Sequence, residues 1–240
     1  MLDLGLCTRY QKSSLLAGCA LLAFLLSVFL LVSGPALAST DEPQNVEELI
    51  AAVEGTYGDV ESLRADFVQV VRSAGGEQKT KGRVVLKRPR LMKWDSTKEP
   101  GGTLFVSDGE KMWIYSPTDK QVLVYNDLSQ AGGGLAIDLL DSLEDLDEHF
   151  DVEFLGKEGG AKKNAFVVRL DPKAEDSPYK EVRLVLSRKK YELQQVILVD
   201  QFGTENEFTF SSVKLNPDIP ASEFTFEPPD GVETIDVQGI

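Results

Sequence analysis

The decapeptide "LKRPRLMKWD", residues 86 to 95, decides how the rest of this 240-residue chain is read. Pro89 has no N–H to give to a sheet, so it belongs at an edge, in a turn or at a strand start. Arg88-Pro89-Arg90 therefore marks a break between two strands. Side chains alternate across a strand, which puts Leu86 and Arg88 on one face. Met92 and Trp94 then take the corresponding face of the next strand. Read plainly, Met92 and Trp94 are core and Arg88 stands on the rim. Read for function, they make a soft apolar wall, because methionine adapts its shape to irregular ligands. Arg88 at its mouth can hydrogen-bond the exposed carbonyls that end a nearby helix.

Working outward, the same period of two continues. Leu63, Ala65 and Phe67 alternate with Arg64 and Asp66, and Val84 and Leu86 alternate with Arg83 and Lys87. Phe166, Val168 and Leu170 share a face, as do Val182, Leu184 and Leu186; Leu193, Ile197 and Val199 follow, then Phe208 and Phe210. Turn chemistry separates these runs at Gly75-Gly76, Pro100-Gly101-Gly102, Asp108-Gly109, Gly159-Gly160 and Phe202-Gly203. About ten or eleven strands at this spacing make a mainly β chain, an antiparallel sheet wetted on one face and buried on the other.

Two segments break the pattern. Val46, Leu49, Ile50 and Val53 follow the i, i+3, i+4, i+7 rule of an amphipathic helix over residues 46 to 57. "GGGLAIDLLDSLEDLDEHF", residues 132 to 150, is helical by period, with Leu135, Leu139, Leu140 and Leu143 along one stripe. A helix set in the middle of a β chain must bury that stripe, and the apolar face of the sheet is available.

The N-terminus reads as an export signal. Arg9 and Lys12 precede an uncharged run from Ser13 to Val32, then Gly34-Pro35 and the small-residue triplet Ala36-Leu37-Ala38. Cleavage after Ala38 is expected, leaving residues 39 to 240 as a single domain and residues 1 to 38 as a discarded signal peptide. Two alternatives stand beside it: an uncleaved anchor, since twenty uncharged residues can span a bilayer, and lipidation at Cys19 within Leu16-Ala17-Gly18-Cys19. Only six residues separate Lys12 from Cys19, which is short for an apolar lead into the membrane.

Removing residues 1 to 38 takes away two basic residues and one acidic, so the net charge moves from −14 to −15. Nucleic acid is excluded as a partner by the lack of a basic footprint, and anionic lipid surfaces are disfavoured too. Both cysteines, Cys7 and Cys19, fall in the discarded part, so the mature chain must rely on its core alone. Catalytic signatures are poor. The one histidine, His149, sits among Asp145, Asp147, Glu148 and Asp151 and reads as a solvated helix end. No nucleophile elbow, calcium loop or phosphate loop is present. The expectation is a binder with no catalytic residue, metal or cofactor.

"RADFVQ" (64 to 69), "GRVVLKRPRLMKWD" (82 to 95), "SDGEKMWIYSPTDKQV" (107 to 122) and "FTFEPPDGV" (224 to 232) occur in the order of a known family. In these motifs the chain resembles the periplasmic outer-membrane lipoprotein carriers of the Lol pathway. The resemblance implies an unclosed, strongly curved antiparallel β-barrel capped by short helices. Its cavity takes the acyl chains of lipoproteins released by an inner-membrane ABC transporter, and the soluble carrier delivers them to an outer-membrane receptor. It further implies a monomeric chaperone of the periplasm and no enzyme. The expected lipid-binding cavity is lined by Phe67, Val84, Leu86, Met92, Trp94, Leu104, Val106, Trp113, Leu135, Leu139, Leu140 and Leu143. Arg88 matches the arginine that latches the lid helix in the closed, empty form. Met92 stands where the family often has phenylalanine. The alternatives are the receptor itself, lipidated at Cys19, or a lipid-sensing regulator of envelope stress.

Overall fold

Among the described residues, twelve strands make one sheet. The computed structural model describes residues 43, 45–128, 143–156, 164–175 and 177–237, all within the compact unit Glu42–Ile240. The export segment and Leu135, Leu139 and Leu140 lie outside the described residues.

The long hairpin of β1 (Ser62–Ser73) and β2 (Gly76–Lys87) is followed by four five-residue strands. These are β3 (Leu91–Asp95), β4 (Leu104–Asp108), β5 (Met112–Ser116) and β6 (Gln121–Tyr125). The second run is β7 (Phe150–Gly156), β8 (Ala165–Pro172), β9 (Tyr179–Ser187), β10 (Leu193–Asp200) and β11 (Glu205–Leu215), and β12 (Glu233–Val237) comes last. Their spatial order is β12-β6-β5-β4-β3-β2-β1-β11-β10-β9-β8-β7. Two meanders of sequential strands thus meet at a single seam, β1 against β11, where Gln69 Nε2 donates to Asn206 Oδ1 at 2.9 Å across 137 positions. The order ends in β7 on one side and β12 on the other, so among the described residues the sheet does not close on itself. The strand count exceeds the sequence expectation. β12, parallel to β6, is short and mostly exposed, so it shows no apolar alternation.

Directly opposed residues share a face. Leu63 opposes Leu86 and Ala65 opposes Val84, while Val84 opposes Trp94 and Leu86 opposes Met92. The two strands flanking Arg88-Pro89-Arg90 therefore bring their apolar residues together as the alternation predicts. The same face continues through Phe67 and Phe210, Val196 and Leu184, and Val168 and Phe154. These residues belong to one apolar cluster reaching from β3 to β7, so the sheet must curl around it. A register shift between Leu193 and Gln195 changes the phase of β10. Val196 and Leu198 face the interior and Ile197 and Val199 do not, which corrects the shared face expected for Leu193, Ile197 and Val199.

Helix α1 (Val46–Tyr57) plugs the interior with Leu49, Val53 and Tyr57, all buried. Asn45 caps it by accepting the Glu48 N–H at 2.8 Å. The Tyr57 hydroxyl accepts the Leu193 N–H at 2.7 Å, and burial pushes its pKa up to about 12. Short helix α2 (Leu146–His149) leads into β7. The expected helix over residues 132 to 150 is broken at Asp145 and gives way to strand at Phe150.

Part of the opposite face of the first meander is also dry. After β11 the chain runs back across it, and Ile219 and Phe224 bury against Val85 and Leu91. Lys87 Nζ donates to Ile219 O at 2.8 Å, Arg64 pairs with Glu223 at 2.6 Å, and Phe226 meets Tyr115. This strap brings β12 to the β6 edge.

Candidate functional site

The interior is built by the concave face. Phe67 lies 4.5 Å from Trp94 between ring centroids, and Trp94 meets Phe208 edge-on at 5.0 Å. Phe210 stacks on Phe208 at 6.5 Å. Gly82 makes this possible, because it opposes Phe67 in the register. A Cβ at Gly82 would come within 2.6 Å of the Phe67 ring and 2.2 Å of Asp95 O. Met92 and Met112 are fully buried beside these rings. Among the described residues these side chains border a recess of about 10 Å³ lined by Leu63, Ala65, Val84, Leu86, Trp94, Leu193, Phe210 and Val213. That is room for roughly one water, and its wall is apolar, so it offers a water no partner.

Of the expected cavity residues, Phe67, Val84, Leu86, Met92, Trp94 and Leu143 fall in the interior cluster. Leu104, Val106 and Trp113 do not. Val106 opposes Lys93, which opposes Val85, so it sits on the strap side. Trp113 opposes Val106, and Leu104 opposes Tyr115. Phe105, Met112 and Ile114 take the interior positions of β4 and β5 instead. Also unassigned from sequence were Val168, Leu170, Leu184, Leu186, Val196, Phe208 and Phe210. Except at Val196, which the phase change in β10 hid, their alternation was visible, but nothing local says that the second meander wraps the same interior as the first.

Arg88 stands at the end of this interior with a largely buried side chain. One guanidinium nitrogen donates to Gly58 O at 3.2 Å, the residue that caps the C-terminus of α1. The other pairs with Glu144 at 2.8 Å. A cation on the terminal carbonyls of a helix is favourable with the helix dipole. Arg88 thus ties α1 to the segment that enters α2. Across the same junction the charges oppose: burial raises the Glu54 carboxyl pKa, and Asp147 and Asp145 push it further.

A curled, unclosed sheet around an apolar interior, plugged by a helix and carrying its charges at the rim, defines a holder of apolar groups. The chain belongs to the outer membrane lipoprotein carrier family: the profile described as "Outer membrane lipoprotein carrier protein LolA" matches residues 58–227. An "Outer-membrane lipoprotein carrier protein" of Dechloromonas aromatica (strain RCB) is 35% identical over 176 residues, covering 72% of this chain and 81% of its own. One of Pseudomonas paraeruginosa (strain DSM 24068 / PA7) is 31% identical over 212 residues, 88% of this chain and 96% of its own. One of Legionella pneumophila (strain Corby) is 33% identical over 177 residues, 73% and 84% respectively.

Proposed function

We propose that this chain is a periplasmic chaperone that takes the acyl chains of lipoproteins into its interior and carries them to the outer membrane. The observation that carries this reading is one apolar cluster packed on α1, inside a sheet whose two edges are unjoined among the described residues. Pockets for bound small molecules occupy about 300–1,000 Å³. The recess beside Trp94 is far smaller than that, so on this reading cargo enters by displacing what plugs the interior.

The energetics require such a plug. Burying a sixteen-carbon chain at about 0.8 kcal/mol per methylene gives roughly 12 kcal/mol, and up to three chains would hold cargo too tightly to release. The contact of Arg88 with the α1 end at Gly58 O and its pair with Glu144 are lost on opening and oppose that affinity. Arg88 accordingly sets the balance between closed and open forms and does not grip the lipid. On this reading the export segment is cleaved after Ala38, residues 39 to 240 work as a soluble monomer, an inner-membrane ABC transporter supplies the cargo and an outer-membrane receptor takes it.

Native mass spectrometry of the protein drawn from periplasm tests the reading. The expected species begins at Ser39 and carries a triacylated or diacylated protein. An acyl group on Cys19 would make the chain a receptor, and the absence of any acylated companion after crosslinking would sink the carrier reading.

A further inference from the structure

Strands β4, β5, β6 and β12 bury their two faces unequally. The register sets Phe105 opposite Trp94, Ile114 opposite Phe105, Leu123 opposite Ile114 and Ile235 opposite Leu123. These five side chains therefore form one row across β3, β4, β5, β6 and β12, on the interior side of the sheet. Phe105 and Ile114 pack against the interior cluster, so the row is continuous with it. Burial falls along the row. Trp94 is 8% exposed, Phe105, Ile114 and Leu123 are half-buried, and Ile235 is 37% exposed. On the outer side of the same strands Val106, Val122 and Val124 are buried. The half-open side is thus the one that runs into the interior.

We propose that this row seats one acyl chain of the cargo, laid across the strands with its methyl end at Trp94 and its linked end leaving over β12. The inference rests on the carrier reading and adds where a chain lies and by which edge it leaves. Neighbouring strands stand ~4.7–4.9 Å apart, so the row measures about 19 Å along the sheet. An acyl chain reaches about 15 Å, half the ~30 Å hydrocarbon core of a bilayer. From Phe105 to Ile235 no side chain of the row offers a hydrogen bond, which suits a hydrocarbon and would leave a peptide backbone unsatisfied. An extended peptide added to the β12 edge would run along that strand and meet the row at Ile235 alone. Tyr125 and Val237 widen the apolar surface on one side of the row, while Ser116, Gln121 and Glu233 line the other. Polar groups therefore stand within reach of the ester or amide end of the chain where it leaves.

The test uses the full chain and a fluorescent peptide whose N-terminal cysteine carries two palmitoyl chains. A photoreactive benzoylphenylalanine in place of Ile235 is expected to capture this probe. The same group in place of Thr234, which opposes Val122 on the outer side, is expected to miss it. Ile235→Ser should weaken probe binding about fivefold, as for uncovering half an isoleucine side chain. Phe202→Ser, at an exposed position off the row, should leave binding unchanged. Equal capture from positions 234 and 235, or none from 235, by a chain that binds the probe overturns the seat and leaves the carrier reading standing. Native affinity in Ile235→Ser at an unchanged melting temperature does the same. Failure of the native chain to bind the probe overturns both. Where Ile235→Ser melts lower than the native chain, the capture pattern decides.

Discussion

Arg88 and Gly82 are the residues whose chemistry the architecture leans on hardest, and they do so in opposite ways. Gly82 works by lacking a side chain. Any Cβ there strikes the Phe67 ring and the backbone of β3 together, so the aromatic packing of the interior depends on it. Arg88 works by reaching two partners at once. Replacing it with leucine keeps the bulk and removes both the Gly58 O bond and the Glu144 pair. Helix-end and exposed-pair contributions of this kind run to about 1 kcal/mol each. The open form of Arg88→Leu should therefore gain up to about thirtyfold relative to the closed form. Acyl loading is expected to persist or tighten, and onward transfer to a receptor to fall. A variant in which loading and transfer decline equally would contradict a role in the closed–open balance.

At the scale of elements, α1 and α2 meet through a junction that both attracts and repels. Glu54 has its carboxyl pKa raised, first by burial and then by Asp147 and Asp145. A carboxyl whose folded pKa lies above its unfolded value stabilises the fold least when ionised, so its contribution worsens as pH rises through the carboxylate range. Glu54→Gln should melt higher than the native chain at neutral pH, and thermal scans should show the gap closing in acid. A gap independent of pH would point to packing instead. The same elements show what a sequence can disclose. α1 was legible because its stripe is buried on one side only, and β2–β3 because Pro89 marks the break and Lys87, Lys93 and Asp95 flank Leu86, Met92 and Trp94. β4 and β5 were not. Leu104-Phe105-Val106 and Met112-Trp113-Ile114-Tyr115 are continuous apolar runs, so period two assigns no face. What dries their second face is the strap carrying Ile219 and Phe224, a segment some hundred positions away that no local pattern announces. The partners of Arg88 were hidden similarly: a helix-end carbonyl was foreseeable as a type, but Gly58 and Glu144 were not.

For the whole molecule, the two faces of the sheet are covered by different kinds of element. The interior is plugged by α1, which holds by Leu49, Val53, Tyr57 and the Arg88 contacts. The outer face is covered by a strap continuous with two strands and tied down through Lys87, Arg64 and Phe224. Cargo that opens the interior should therefore free the helix and leave the strap in place. Hydrogen exchange on the loaded and empty protein is expected to show faster exchange of α1 amides on loading, with residues 216 to 226 unchanged. Loosening of the strap instead would place the opening on the wrong side of the sheet.

The seam between β1 and β11 has a consequence for how the chain reaches this form. Each meander can assemble from neighbours in sequence, yet neither alone encloses anything. An interior exists only once Gln69 and its strand find Asn206 across 137 positions. Loop-closure entropy grows slowly with length, but such distant pairing slows folding. Until that one registration is made, both halves present bare apolar faces, and the newly made protein is itself in need of the shelter it will later give.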